Sequence, residues 1–347
     1  MKKFIYLLLA TVLLSSCSSD ESKALAVEGS EYDFALKQHL FLFDALPSLA
    51  KNEMNPRSDE KVALGHALYF DTRLSMTGNN SCNSCHNLAT FGVDGLPTSE
   101  GDNGGFGDRN SPTVLNAALH ATQFWDGRAA DVEEQAGMPI LNPVEMAIPN
   151  EDFLITRLSD IELYQDLFAK AYPEDESPVT YLNLQNAIAS FERELITPSR
   201  LDQYMSGDKL ALTKQEKQGM MSFVINGCAT CHNGALLGGN YLQKFGVYDD
   251  YWKYTNSEKI DEGLAAQTGV ESDKYMFKTP SLRNIEHTGP YLHDGSVSDL
   301  KEVIRIMGKV QLNKDLKQSE IDNIAAFLGS LSGNVPENYQ TAPMVLN

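Results

Sequence analysis

Apolar residues recur with a helical period along much of this chain. Leu154, Leu158, Ile161 and Phe168, with Gln165 among them, fall on one 3.6-residue face, and Leu184, Ile188, Phe191 and Leu195 fall on another. Leu300, Val303, Ile304, Ile306 and Met307 form a third amphipathic run. Thr213 with Glu216 makes a capping-box pattern, and Ser319 with Asp322 predicts a second helix start before Ile321–Leu328. No stretch alternates long enough to build a sheet. Segments rich in Gly, Pro, Asn and Asp at 92–113, 137–150, 233–263 and 286–299 read as loops. The pattern predicts a mainly α protein with long irregular loops. Its 347 residues suit two domains, with a boundary near Thr197-Pro198-Ser199, where proline ends the preceding helix.

The first residues follow a different pattern. Lys2 and Lys3 precede an apolar run from Phe4 to Leu14, too short for the ~20 residues of a spanning helix and typical of an export signal. The ending Leu14-Ser15-Ser16-Cys17 resembles a bacterial lipoprotein box. Residues 1–16 then form the leader, Cys17 carries the lipid, and 17–44 are a tether and N-terminal segment. The expected location is the periplasm, anchored to a membrane through Cys17.

The formal net charge is −19, and loss of the leader removes two lysines more. Such a surface excludes nucleic acid as a partner, because phosphates require Lys and Arg. It is compatible with a basic protein partner.

Cysteine placement changes the picture most. Beyond Cys17 there are two pairs, in Cys82-Asn83-Ser84-Cys85-His86 and Cys228-Ala229-Thr230-Cys231-His232. Both are C-x-x-C-H, a pattern expected by chance roughly 0.0015 times in a chain of this composition. Two thiols add across porphyrin vinyl groups, and the adjoining histidine becomes the proximal iron ligand. A four-thiolate zinc site and a pair of disulfides are the alternatives. The expectation is two covalently bound c-type haems, one per domain, in two cytochrome c-like domains.

Further runs carry a family resemblance. They are Asn110-Ser111-Pro112-Thr113-Val114-Leu115-Asn116, Gln123-Phe124-Trp125-Asp126-Gly127-Arg128 and Val144-Glu145-Met146 in the first half. In the second half they are Ser281-Leu282-Arg283-Asn284, Pro290-Tyr291-Leu292-His293-Asp294-Gly295 and Ile306-Met307-Gly308. In order and spacing, over residues 45–335, these resemble the bacterial dihaem cytochrome c peroxidases.

The resemblance implies a peroxidatic haem on Cys82, Cys85 and His86 in a domain of residues 45–197, with the tail 334–347 packing back on it. It implies an electron-transfer haem on Cys228, Cys231 and His232 in residues 198–333, with Met307 as second iron ligand. Glu145 matches the acid/base residue, Gln135 its hydrogen-bonding companion, and Trp125 the indole between the haems. Asn110, Thr288 and Pro290 match a calcium site, an oxygen shell of the kind calcium prefers. Arg109, Arg128 and Arg283 are candidates to pair haem propionates. His293 matches a position beside the second haem that is not an iron ligand, and His39, His66 and His287 read as structural or exposed.

One departure stands out. Many family members cap the oxidised peroxidatic iron with a loop histidine, but here the matching position is Asp102, and no histidine occurs between His86 and His120. A carboxylate in a Gly-rich loop is a poor cap, and His120 reads as a core residue. The expected activity is reduction of hydrogen peroxide with electrons from a small cytochrome c or cupredoxin, in a homodimer, without reductive activation. The alternatives are an enzyme of the tryptophylquinone-forming type and a dihaem electron carrier without catalysis.

Overall fold

The computed structural model describes residues 31–346; the leader, Cys17 and the start of the 17–44 segment lie outside them. The longer helices are α1 (Asp59–Phe70), α2 (Val132–Leu141), α3 (Glu151–Ser159), α4 (Glu162–Ala171), α5 (Tyr181–Glu192), α6 (Arg200–Met205), α7 (Lys214–Asn226), α8 (Leu300–Leu312) and α9 (Gln318–Gly329). Polar caps fix most of their starts. Ser58, Asp131, Asn150 and Thr180 each accept a backbone N–H three residues on. Thr213 and Glu216 make the reciprocal box at α7, with Thr213 N–H to Glu216 Oε2 at 2.7 Å.

Four sequence expectations shift. The period over 154–168 spans two helices, because Ile161 is extended (φ −106°, ψ 112°) and Gln165 turns to cap the freed Ser159 carbonyl at 2.6 Å. The predicted loop at 137–150 begins inside α2, whose last turn contains Pro139 and which ends two residues later at Leu141. The final helix starts two residues early, where Glu320 Oε2 accepts Lys317 N–H. A small antiparallel ribbon, β1 (Leu242–Lys244) with β2 (Met276–Lys278), interrupts the loops of the second half, too short to leave an alternation signal.

Two cores form. Leu64, Leu68, Leu154, Leu158, Tyr164, Phe168, Leu184 and Ile188 fill the first, and Leu201, Tyr204, Met220, Phe223, Ile321, Ile324 and Phe327 the second. The halves share far more than the haem motif. α1 crosses α5 at Gly65, where a Cβ would stand 1.9 Å from the Ala187 carbonyl oxygen. α7 crosses α9 at Gly219, where a Cβ would stand 1.9 Å from Asn323 O. Each half also carries a left-handed Asn (Asn116 φ 61°, Asn284 φ 60°) before a short 3₁₀ turn. A tight hairpin follows, bridged at Gln123–Ala129 in one half and Tyr291–Val297 in the other. The two asparagines meet: both donate to Thr197 Oγ1 at 2.8 Å. Trp125 and His293 occupy the same place in the two hairpins.

The chain ends cross over. Leu36 and Phe43 pack in the second core, and Asp33 accepts from Tyr204 OH at 2.7 Å and pairs with Lys217. The C-terminal tail lies on the first half, with Val335 and Tyr339 packed among Val62, Tyr69, Leu88 and Phe191. His66 fastens it, its Nε2 3.0 Å from Thr341 O and its ring stacked on Phe191. Burial pushes the His66 imidazole below its usual pKa, as suits a neutral structural ring.

Candidate active site

Both C-x-x-C-H segments are single tight turns that close on the histidine. His86 N–H donates to Cys82 O at 2.9 Å, and His232 N–H donates to Cys228 O at 3.0 Å. Each ring then faces a backbone carbonyl through Nδ1: His86 reaches Pro112 O and His232 reaches Leu237 O, both at 2.9 Å. That places the proton on Nδ1 and leaves Nε2 as the free lone pair, the state a proximal iron ligand requires. All four cysteines are free, which removes the disulfide alternative. Burial raises the thiols, Cys228 to about 11. Among the described residues no three of His, Cys, Asp and Glu are grouped as a metal-holding cluster.

Glu145 sits in the turn that follows α2. Asn142 Nδ2 donates to its Oε1 at 2.8 Å, and its neighbours Phe124, Arg128, Met138, Pro139, Leu141 and Asn142 line a cavity of about 350 Å³ with it. Arg128 lies flat over Phe124, 3.4 Å from the ring centroid. Burial pushes the Glu145 carboxyl above the ordinary carboxylate range, against the opposing pull of Arg128 and Asn142. The charge of Glu145 in turn contributes to raising the Cys85 thiol of the first haem motif. Gln135 lies one turn earlier on α2 and is not among the lining residues. Met138 and Asn142 carried no signal in the sequence.

Asp102 is not a mobile group in a slack loop. It is buried, and its carboxylate accepts from Ser75 Oγ at 2.7 Å, Thr77 N–H at 2.6 Å and Asn79 N–H at 3.1 Å. Burial acts to raise its pKa, but these bonds outweigh it and hold the carboxyl below the usual range. Asp102 N–H also donates to Glu145 O at 2.7 Å, and Gly101 lies so close to this turn that a Cβ would meet Val144 O at 1.8 Å. The loop is thus locked to the Glu145 turn, and its carboxylate is taken up by Ser75, Thr77 and Asn79. His120 is elsewhere too: Lys278 Nζ is 3.0 Å from its Nδ1, and Gly239 of the second half lies against its ring.

The two hairpins meet between the halves. Trp125 Nε1 donates to Asn110 O at 2.9 Å, and Asn110 N–H donates to His293 O at 2.8 Å. The Trp125 and His293 rings stand edge to face, 6.5 Å apart. Met307 on α8 is half-buried against the same group as Trp125, with Phe277, Tyr291 and Val310. Asn110 Nδ2 faces Leu96 O at 2.9 Å, so its side-chain oxygen is the atom left for a cation.

The arginines divide. Arg283 is fully buried and spends all five N–H groups on Ala235 O, Ser199 Oγ, Asp44 O and the Asp202 carboxylate. It is a clamp, and no donor remains for a propionate. Arg109 is committed to Asp261 and Asp126. Arg128 also binds Asp126 but reaches the Glu145 cavity.

Buried polar atoms without partners gather in the second half: Thr279 Oγ1, His293 Nε2, Asp294 Oδ2 and Ser296 Oγ, with His120 Nε2 nearby. Such orphans are costly unless a group from outside the chain satisfies them. Two pre-set imidazoles, two free thiol pairs and this orphan set fit covalent haem, and define a two-haem c-type redox protein.

Comparison with known proteins agrees. A family model described as di-haem cytochrome c peroxidase matches residues 59–210, and one for a prokaryotic membrane lipoprotein lipid attachment site matches 1–18. The chain is 43% identical over 300 residues to cytochrome c551 peroxidase of Pseudomonas aeruginosa, covering 85% of each. It is 42% identical over 285 residues to that of Nitrosomonas europaea, covering 82% of this chain and 83% of the relative. A crystal structure of a MauG-like protein associated with microbial copper homeostasis superposes with a TM-score of 0.74 at 29% identity, over 86% of this chain and 95% of the other. The chain belongs to the di-haem cytochrome c peroxidase family.

Proposed function

We propose that this protein reduces hydrogen peroxide to two waters at the haem on Cys82, Cys85 and His86, with two electrons and two protons consumed per peroxide. The electrons come from a small cytochrome c or cupredoxin through the haem on Cys228, Cys231 and His232. The carrying observation is Glu145, a carboxyl raised by burial in a cavity, whose charge acts on the Cys85 thiol of the first haem motif. When bound, each haem supplies an iron that exchanges single electrons, and the first offers a position for peroxide.

The chain's own residues do the rest. Asn142 occupies Oε1 of Glu145 and leaves Oε2 to take a proton from one peroxide oxygen and return it to the other, so that water departs. Arg128 brings positive charge to the same cavity, whereas Gln135, outside its lining, is given no part in the step. The Pro112 carbonyl strengthens His86 as a ligand. Trp125, fixed by Asn110 and edge-on to His293, couples the two centres. Asn110, Thr288 and Pro290 hold one calcium ion between the halves. The protein is a periplasmic lipoprotein and a homodimer.

Met307 as second ligand of the electron-receiving haem is supported by its place against the apolar cluster that Trp125 also packs on. Met307→His should keep both haems and lower the potential of the second, because imidazole stabilises ferric iron more than thioether does. A redox titration checks this; unchanged potentials would exclude Met307. The tryptophylquinone-forming alternative uses tyrosine at this ligand position, and the cytochrome c551 peroxidases, at 42–43% identity, are more similar in sequence than the MauG proteins, at 32–36%. The carrier alternative needs both irons capped, and Asp102 and His120 are both engaged elsewhere.

The deciding experiment is steady-state peroxide consumption with reduced cytochrome c, started from fully oxidised protein. Turnover without a lag is expected, with a high-spin component in the paramagnetic-resonance spectrum. No turnover would overturn the enzyme reading. A purely low-spin spectrum with a lag abolished by pre-reduction would overturn the open first haem.

A further inference from the structure

Lys278 is a buried cation without an anion. It ends β2 with 6% of its surface exposed, its N–H donates to Trp125 O at 2.7 Å, and its Nζ donates to Thr122 O at 2.9 Å. Its other neighbour is the Nδ1 of His120, at 3.0 Å. Among the described residues no carboxylate lies within ion-pair distance of it. Asp126 is the nearest that acts on it, and that carboxylate is already held by Arg109 and Arg128, with Arg109 further bound to Asp261. A buried ammonium left in this way is costly, and burial pushes the Lys278 pKa down to about 7.

His120 carries the complementary defect. An ammonium donating to Nδ1 fixes the tautomer with hydrogen on Nε2. That Nε2 is shut off from solvent and has no acceptor in the protein. One residue beyond Lys278, Thr279 Oγ1 is likewise buried and unpartnered. Pro280, the next residue, directs its carbonyl at His232, so this strand runs directly onto the second haem site. The three defects call for one group: an anion with two acceptor oxygens, at the edge of the second haem. The arginines that seemed suited to the task are spent on carboxylates of the protein.

We propose that His120, Lys278 and Thr279 seat a propionate of the second haem, with His120 donating through Nε2 and Lys278 supplying the counter-charge. The proposal rests on the reading that Cys228, Cys231 and His232 carry that haem. The three are positioning residues: they fix the haem edge next to Trp125, whose carbonyl is bonded to the Lys278 backbone, and their charge helps set the potential at which electrons enter. The chemistry is an ion pair and two hydrogen bonds, with no covalent change.

The test is a spectroelectrochemical titration of holoenzyme variants, after a haem count confirms two haems per chain. Lys278→Met should shift the reduction equilibrium of the second haem roughly ten-fold toward the ferric form, the order expected of one buried unit charge. Lys278→Arg should restore most of that shift. His120→Gln, which keeps a donor, should lie near wild type, whereas His120→Leu should move the same haem in the same direction as Lys278→Met. If Lys278→Met does not fold, the His120 pair decides alone. Potentials unchanged in His120→Leu and Lys278→Met, or a shift confined to the first haem, would overturn the proposal with the two-haem reading intact. A single haem per chain would overturn both.

Discussion

Glu145→Gln is expected to lower the rate of peroxide reduction ~10²–10⁴-fold while both haems remain bound and the second keeps its potential. Glutamine preserves the volume and can keep the bond from Asn142 at Oε1, so the turn after α2 should survive. What it removes is the basic oxygen that receives the peroxide proton. On the scale of barriers the loss corresponds to roughly 3–5 kcal/mol. The pH dependence gives an independent check. Burial raises the Glu145 pKa, and the base must be deprotonated to act. Activity should therefore fall with decreasing pH through a value above the ordinary carboxylate pKa, and this acid limb should vanish in Glu145→Gln. Rapid-mixing kinetics across pH measure both effects. Near-wild-type turnover in the variant would remove Glu145 from the mechanism.

Gly219→Val should abolish assembly of the second half, and Gly65→Val that of the first. At both crossings the partner backbone already occupies the place of a Cβ, 1.9 Å from a carbonyl oxygen, so neither helix can relax without parting from its partner. Overpacking of flexible side chains commonly costs ~1–3 kcal/mol, and a clash with backbone at the centre of a core exceeds that. Thermal unfolding and haem content report the result. Gly105→Ala, at a position with nothing near its Cβ, is the control expected to melt like wild type. A Gly219→Val protein melting within a few degrees of wild type would show that the α7–α9 crossing is looser than drawn.

Much of this was legible in the sequence because it is local chemistry. The two C-x-x-C-H turns need only five consecutive residues, and the Thr213–Glu216 box only four. What stayed hidden depends on residues far apart in the chain. The kinship of the halves rests on Gly65 and Gly219, and a lone helical glycine in a sequence does not announce what it lies against. Arg283 looked like a propionate partner because nothing in its neighbourhood reveals Asp202, 81 residues away, which claims it. Asp102 looked idle for the same reason: its donors Ser75, Thr77 and Asn79 precede the haem motif. The period over 154–168 was true as a record of burial and misleading as a record of helix continuity. A helix can stop and resume in phase when a single residue, here Ile161, leaves the helical region between the two segments.

The crossing of the chain ends bears on how the molecule is held at a surface. The lipid-bearing end enters the fold through the segment around residues 31–43, and that segment grips the second half through Asp33, Leu36 and Phe43. Any pull from the anchor is therefore borne by the half that carries the Cys228–His232 motif, through buried aromatic packing and a carboxylate shared by Tyr204 and Lys217. The half that carries the Cys82–His86 motif hangs from that fixed base, and a strap from Val335 to Thr341, docked on Phe191 and His66, closes its outer side.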